Sequence, residues 1–117
     1  MAKVVGLGGV FFRGADHGAI KSWYLRVLGV DFGNYGSAHW PYPDKGVTVL
    51  SLKADGDYFK PSTQPFMINL IVDDLDGVLA NAKAAGADSL GREEHEFGKF
   101  AWLLDPAGVK VELWEPK

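Results

Sequence analysis

Two stretches of the chain repeat one another, and that repeat constrains the fold more than any other feature. Trp40-Pro41-Tyr42-Pro43-Asp44-Lys45-Gly46-Val47-Thr48-Val49-Leu50 is echoed by Trp102-Leu103-Leu104-Asp105-Pro106-Ala107-Gly108-Val109-Lys110-Val111-Glu112. Each passes from an extended aromatic segment through a Pro/Asp turn to a glycine, then into an alternating β-branched strand. Setting Gly46 on Gly108 also sets Trp40 on Trp102 and Val49 on Val111. In the second copy proline fixes φ and glycine accepts a positive φ, which makes residues 105–108 a tight turn. Both stretches read as β-hairpins, so the chain reads as two copies of one small unit. The copies part at Leu50 against Glu112, and the functional question lies there.

The rest of the chain fits that division. Val4–Phe12 reads as a strand whose Gly6, Gly8 and Gly9 allow a bulge or a close backbone approach. Asp16 caps a helix with apolar positions Ala19, Ile20, Trp23, Tyr24, Val27 and Leu28, and Gly29 ends it. Residues 37–41 and 47–52 are expected as strands. Residues 54–65 are polar and read as the linker, although Tyr58 and Phe59 within it either cover the core or close a ligand pocket. Phe66–Val72 is an apolar strand. Asp73 is expected to cap the next helix, which buries Leu75, Val78, Leu79 and Ala82 before Gly86 stops it. A short strand at Ala87–Leu90, a charged connection at Gly91–Gly98, and strands at Phe100–Leu104 and Val109–Trp114 complete the chain. The order is βαβββ twice, with Asp16 and Asp73, and Gly29 and Gly86, each 57 positions apart. A ferredoxin-like fold would lack the extra hairpin in each half. The expectation is one α+β domain over residues 1–117: module one at about 1–57, a linker at about 54–64, and module two at about 65–117.

Charge and composition exclude several functions. A net charge of -3 leaves no footprint for nucleic acid or an anionic membrane. The absence of cysteine removes disulfides, thiol catalysis and thiolate metal sites. No apolar run approaches a membrane span, and Met1-Ala2-Lys3 leads into strand-like residues without a signal peptide's apolar region, so a cytoplasmic protein is expected. Gly6-Leu7-Gly8-Gly9 falls inside a strand and does not open a helix, so it is no phosphate cradle. Four Trp, seven Phe and four Tyr are enough to line an apolar pocket or a subunit interface as well as a core.

Ala19-Ile20-Lys21-Ser22-Trp23-Tyr24 through Leu28-Gly29, Val72-Asp73-Asp74-Leu75-Asp76, and Leu104-Asp105-Pro106-Ala107-Gly108 with Val111-Glu112-Leu113 together resemble the glyoxalase/bleomycin-resistance family, or vicinal oxygen chelate superfamily. The resemblance implies that two βαβββ modules curl into an incomplete barrel around a cleft. It implies a homodimer, in which half-barrels complete one another across the interface. It also implies a possible metal seat at Gly9 (Val10 by the repeat offset), Leu50, Met67 and Glu112. Glycine, valine and leucine carry no donor there, and a neutral thioether is a poor partner for a hard divalent ion. His17, His39 and His95 match none of these positions. No metal or other cofactor is therefore expected. Family members include lyases, isomerases, dioxygenases, fosfomycin-modifying enzymes and non-catalytic drug-binding proteins.

Among single residues Glu112 stands out. It alternates with Val111 and Leu113 and so shares a strand face with Lys110 and Trp114. If that face is solvent, the strand is an ordinary half-buried one. If it lines the cleft, the carboxylate needs a partner there, and it either accepts a hydrogen bond from a ligand or moves a proton. Asn69 shares its face with Met67 and Ile71, and Thr48 shares Leu50's. His39 is a candidate base by residue type but has no orienting carboxylate beside it in the sequence. The leading expectation is a metal-independent protein binding a small, partly apolar organic molecule through Glu112, Asn69, Met67, Leu50, Thr48, Trp102, Trp114, Tyr58 and His39. The alternatives are a glyoxalase-like lyase or isomerase, in which a catalytic Glu112 moves a proton beside a carbonyl, and a non-catalytic structural or partner-binding dimer.

Overall fold

The computed structural model describes residues 3, 7, 9–42, 44–53 and 56–117. The fold is mixed α+β, with elements α1 (His17–Leu28), β1 (Met67–Ile71), α2 (Leu75–Ala84), β2 (Gly91–His95), β3 (Gly98–Leu104) and β4 (Lys110–Pro116). The four strands make one open sheet in the order β1-β4-β3-β2. β1 runs parallel to β4, and the other two pairs are antiparallel. Residues 67–116 thus follow the βαβββ order expected of the second unit.

Both helices start and stop where local chemistry allows. The Asp16 side chain accepts the Ala19 amide at 3.0 Å, and Gly29 closes α1 with φ 68°. α2 is capped by Asp74 rather than by Asp73: its carboxylate accepts the Gly77 amide at 3.1 Å. The reason is sheet register. The Val72 amide donates to the Trp114 carbonyl at 2.8 Å, so the chain stays tied to β4 through residue 72 and turns into the helix one residue late. Glu115 takes up another free amide of that first turn, Leu75 N, at 2.8 Å.

The core lies between the helices and one face of the sheet. Ile20, Tyr24 and Val27 of α1 and Leu75 and Ala82 of α2 pack on Ala101, Leu103, Val111 and Leu113. These strand positions alternate, so the intervening residues point to the opposite face. Asp105 fixes the β3–β4 turn: its carboxylate accepts the Ala107 and Val109 amides at 2.8 Å each and the Tyr24 hydroxyl at 2.6 Å. Gly108 has φ 78°, as the Asp-Pro-Ala-Gly turn requires. Its repeat partner Gly46 has φ 89°.

Several elements differ from expectation. The charged connection at 91–98 is β2 and the hairpin into β3. Among the described residues β2 pairs only with β3, and charged side chains suit such an edge because they discourage further pairing. Ala87–Leu90 forms no strand; the Ala87 amide instead donates to the Ala82 carbonyl at 2.9 Å and closes α2. Residues 37–41 and 47–52 have no strand partner among the described residues. Every described residue from 39 to 53 is exposed, and Leu52 is 100% exposed. A strand needs a neighbour, and this run lies outside the sheet that would supply one. Of the expected strand Val4–Phe12, residues 4–6 and 8 lie outside the described residues, and residues 9–12 are not strand.

Candidate functional site

The face of the sheet turned away from the helices carries the candidate site. β1 places Met67, Asn69 and Ile71 there, β4 places Lys110, Glu112 and Trp114, and β3 places Phe100, Trp102 and Leu104. The register aligns Asn69, Glu112 and Trp102 in one row across three strands. Adjacent side chains in such a row meet, so alternation alone brings two hydrogen-bond donors to one carboxylate.

Glu112 is 9% exposed, and three donors converge on it. Asn69 Nδ2 donates to Oε1 at 2.7 Å. Trp102 Nε1 donates to Oε2 at 2.7 Å, and the Tyr58 hydroxyl donates to the same oxygen. A buried carboxylate without partners would be costly, and these donors replace the water it has lost. Burial, and then the hydrogen bond to Glu112, push the Tyr58 hydroxyl from its ordinary 10.0 up to about 12.

Tyr58 arrives on a strap that crosses this face. Lys110 Nζ donates to the Tyr58 carbonyl at 2.5 Å, and Ser62 Oγ donates to the Gly108 carbonyl at 2.5 Å. The Lys110 ammonium also stands 5.3 Å from the centre of the Tyr58 ring and 5.6 Å from that of Trp102, within cation–π range. The Tyr58 ring meets Trp102 edge-on, with centroids 6.4 Å apart.

Of the residues expected at the site, Glu112, Asn69, Trp102 and Tyr58 form this cluster. Met67 and Trp114 share its face, in the rows on either side. Trp114 is committed elsewhere: its indole donates to the Phe97 carbonyl at 3.0 Å and its ring stacks on Phe100. Leu50 is 88% exposed, Thr48 and His39 are exposed too, and none of the three hydrogen-bonds to the cluster. Lys110 and Ser62 were not anticipated. Alternation put Lys110 on Glu112's face, but nothing in the sequence links either residue to the strap. Two open depressions lie elsewhere, one of about 560 Å³ beside Arg26, Gly29 and Asn81, the other of about 380 Å³ beside Phe12, His17 and Tyr35.

Glu112 does not fit a metal seat. Its oxygens face N–H and O–H donors, whereas a cation requires neighbouring lone pairs. Among the described residues no three His, Asp or Glu side chains are grouped to hold a metal ion. Met67 beside it brings only a thioether.

A family model described as a glyoxalase-like domain matches residues 9–114. The chain belongs to the glyoxalase-like family. Solved structures share the fold of this glyoxalase-like chain. A glyoxalase/bleomycin resistance protein from Catenulispora acidiphila is 25% identical, with a TM-score of 0.52 over 89% of this chain and 92% of that one. TnmS3, an antibiotic binding protein from Streptomyces sp. CB03234, is 24% identical, with a TM-score of 0.57 over 89% of each chain. A glyoxylase/bleomycin resistance protein/dioxygenase domain from Frankia sp. EAN1pec is 16% identical, with a TM-score of 0.59 over 98% of this chain and all of that one. No curated protein matches the chain. Among the described residues no helix is long and apolar enough to cross a membrane.

Proposed function

We propose that this glyoxalase-like chain binds a small, partly apolar organic molecule on the Glu112 face of its sheet, without a metal. The observation that carries this reading is the convergence of Asn69, Trp102 and Tyr58 on one buried carboxylate, on the face the core does not use. Binding is favoured over a lyase or isomerase reaction because Asn69 and Trp102, both fixed in the sheet, each hold one oxygen of Glu112 and set it as an acceptor. An enolate formed there would also need donors of its own, and Asn69, Trp102 and Tyr58 are all turned toward Glu112. Exposed Val47, Val49, Leu50 and Leu52 support a homodimer, since a second copy would cover them. A chain without cysteine suits the reducing cytoplasm.

Tryptophan fluorescence and calorimetric titration against a panel of small aromatic and carbonyl compounds test the reading. At least one compound is expected to bind, and Glu112→Gln is expected to weaken it by about tenfold or more with the circular dichroism spectrum retained. Binding indifferent to Glu112, or turnover of a carbonyl compound lost in E112Q, would overturn it.

A further inference from the structure

Among the described residues two tyrosine–carboxylate pairs form, and they differ in kind. Tyr24 is 2% exposed, sits on a helix and donates to buried Asp105; both partners belong to the core. Tyr58 donates to buried Glu112 but is itself 45% exposed and rides on a turn between exposed Asp57 and Lys60. The first pair is a lock within the fold. In the second, a surface residue has entered a prepared acceptor site.

Lifting Tyr58 away would leave that site well defined. Asn69 and Trp102 would still hold Glu112, and Oε2 would lack one O–H donor. The edge of Trp102 and the Lys110 ammonium would bound a flat space the size of one aromatic ring, the ammonium favouring an electron-rich ring. A carboxylate on the incoming ring would meet Glu112 as a like charge. Resting on the binding reading above, we propose that Tyr58 is an internal occupant of the ligand site, and that the ligand is a phenol or similar hydroxyl-bearing aromatic that displaces it. The strap then acts as a competitor: it keeps Glu112 satisfied in the empty protein and sets a threshold that weak or hydroxyl-free aromatics do not pass.

The test uses para-cresol, which is the tyrosine side chain as a free molecule, with toluene and 4-methylbenzoate as controls. Each is titrated into wild type, Tyr58→Ala and Tyr58→Ala/Glu112→Gln, following the Trp102 indole N–H resonance and calorimetric heat. Para-cresol is expected to bind Y58A about tenfold or more tightly than wild type and to move the Trp102 signal. Toluene and 4-methylbenzoate are expected to bind at least about tenfold more weakly, and the double variant should lose the preference. Tyr58→Leu replaces Y58A if the latter loses its near-ultraviolet circular dichroism. Equal para-cresol affinity in wild type and Y58A, or toluene binding as well as para-cresol, overturns the proposal. If para-cresol fails but some other compound binds wild type in a Glu112-dependent way, the occupant idea falls and the binding function stands. If no compound depends on Glu112, both fall.

Discussion

Glu112 stands where the first repeated stretch has Leu50, and its surroundings explain why leucine would not serve in its place. Glu112→Leu would leave the indole N–H of buried Trp102 without an acceptor, while exposed Asn69 and half-exposed Tyr58 could turn to water. The expected cost is about 1–3 kcal/mol, from one orphaned buried donor, read as a lower urea midpoint at unchanged slope. Tyr58 adds a pH dependence. Its hydroxyl ionises near 10.0 when unfolded and near 12 when folded, held up by burial and then by Glu112. The folded state therefore keeps a proton that the unfolded state releases. This contribution is complete below pH 10 and lost as pH rises to about 12. Tyr24 is shifted in the same direction by burial and Asp105. Tyr58→Phe should make the alkaline fall in stability shallower without abolishing it, as measured by denaturation at stepped pH. Strand alternation made Glu112, Asn69 and Trp102 legible as candidates before the fold was known. Their tie to Tyr58 was not legible, because it spans 54 positions and depends on where an irregular strap lands.

At the scale of elements, the helices were the most legible, because caps and apolar spacing are local. The one-residue error at α2 came from β4, which holds Val72 in the sheet and moves the cap from Asp73 to Asp74. Asp74→Ala should cost about 1 kcal/mol, whereas Asp73→Ala should lie within about 0.5 kcal/mol of wild type, in parallel urea titrations. In the sequence β2 reads as a connection because Arg92, Glu93 and Glu94 show no apolar face; an edge strand needs none. Gly98, at the β3 end of its hairpin, has φ 134°, and a Cβ there would run into the Glu115 backbone. Gly98→Ala should therefore destabilise the hairpin by about 1–3 kcal/mol, which amide exchange across β2 would report.

Across the whole molecule the two halves are unequal. The second supplies the sheet, and the first supplies α1 and a run of exposed residues from 39 to 53. The radius of gyration is 14.6 Å, against about 13 Å for a compact domain of this length. The repeat extends to the positive φ of both Gly46 and Gly108, yet among the described residues only one copy has its strands paired. Sequence alternation specifies what a strand can bury, but the partner that buries it need not lie on the same chain. Wild type should sediment as a dimer with a concentration-dependent melting temperature, and Val49→Lys/Leu52→Lys should shift it to monomer; a wild-type monomer would exclude this.

Among the described residues the sheet is insulated on one flank and bare on the other. β2 fends off newcomers with Arg92, Glu93 and Glu94, while β1, Met-Ile-Asn-Leu-Ile, carries no charge. If a run from a neighbouring copy joins the sheet, the uncharged flank beside β1 opposes it least. When two copies exchange such runs, each uses up the other's receptive flank, so growth halts at a closed pair instead of extending into a fibre.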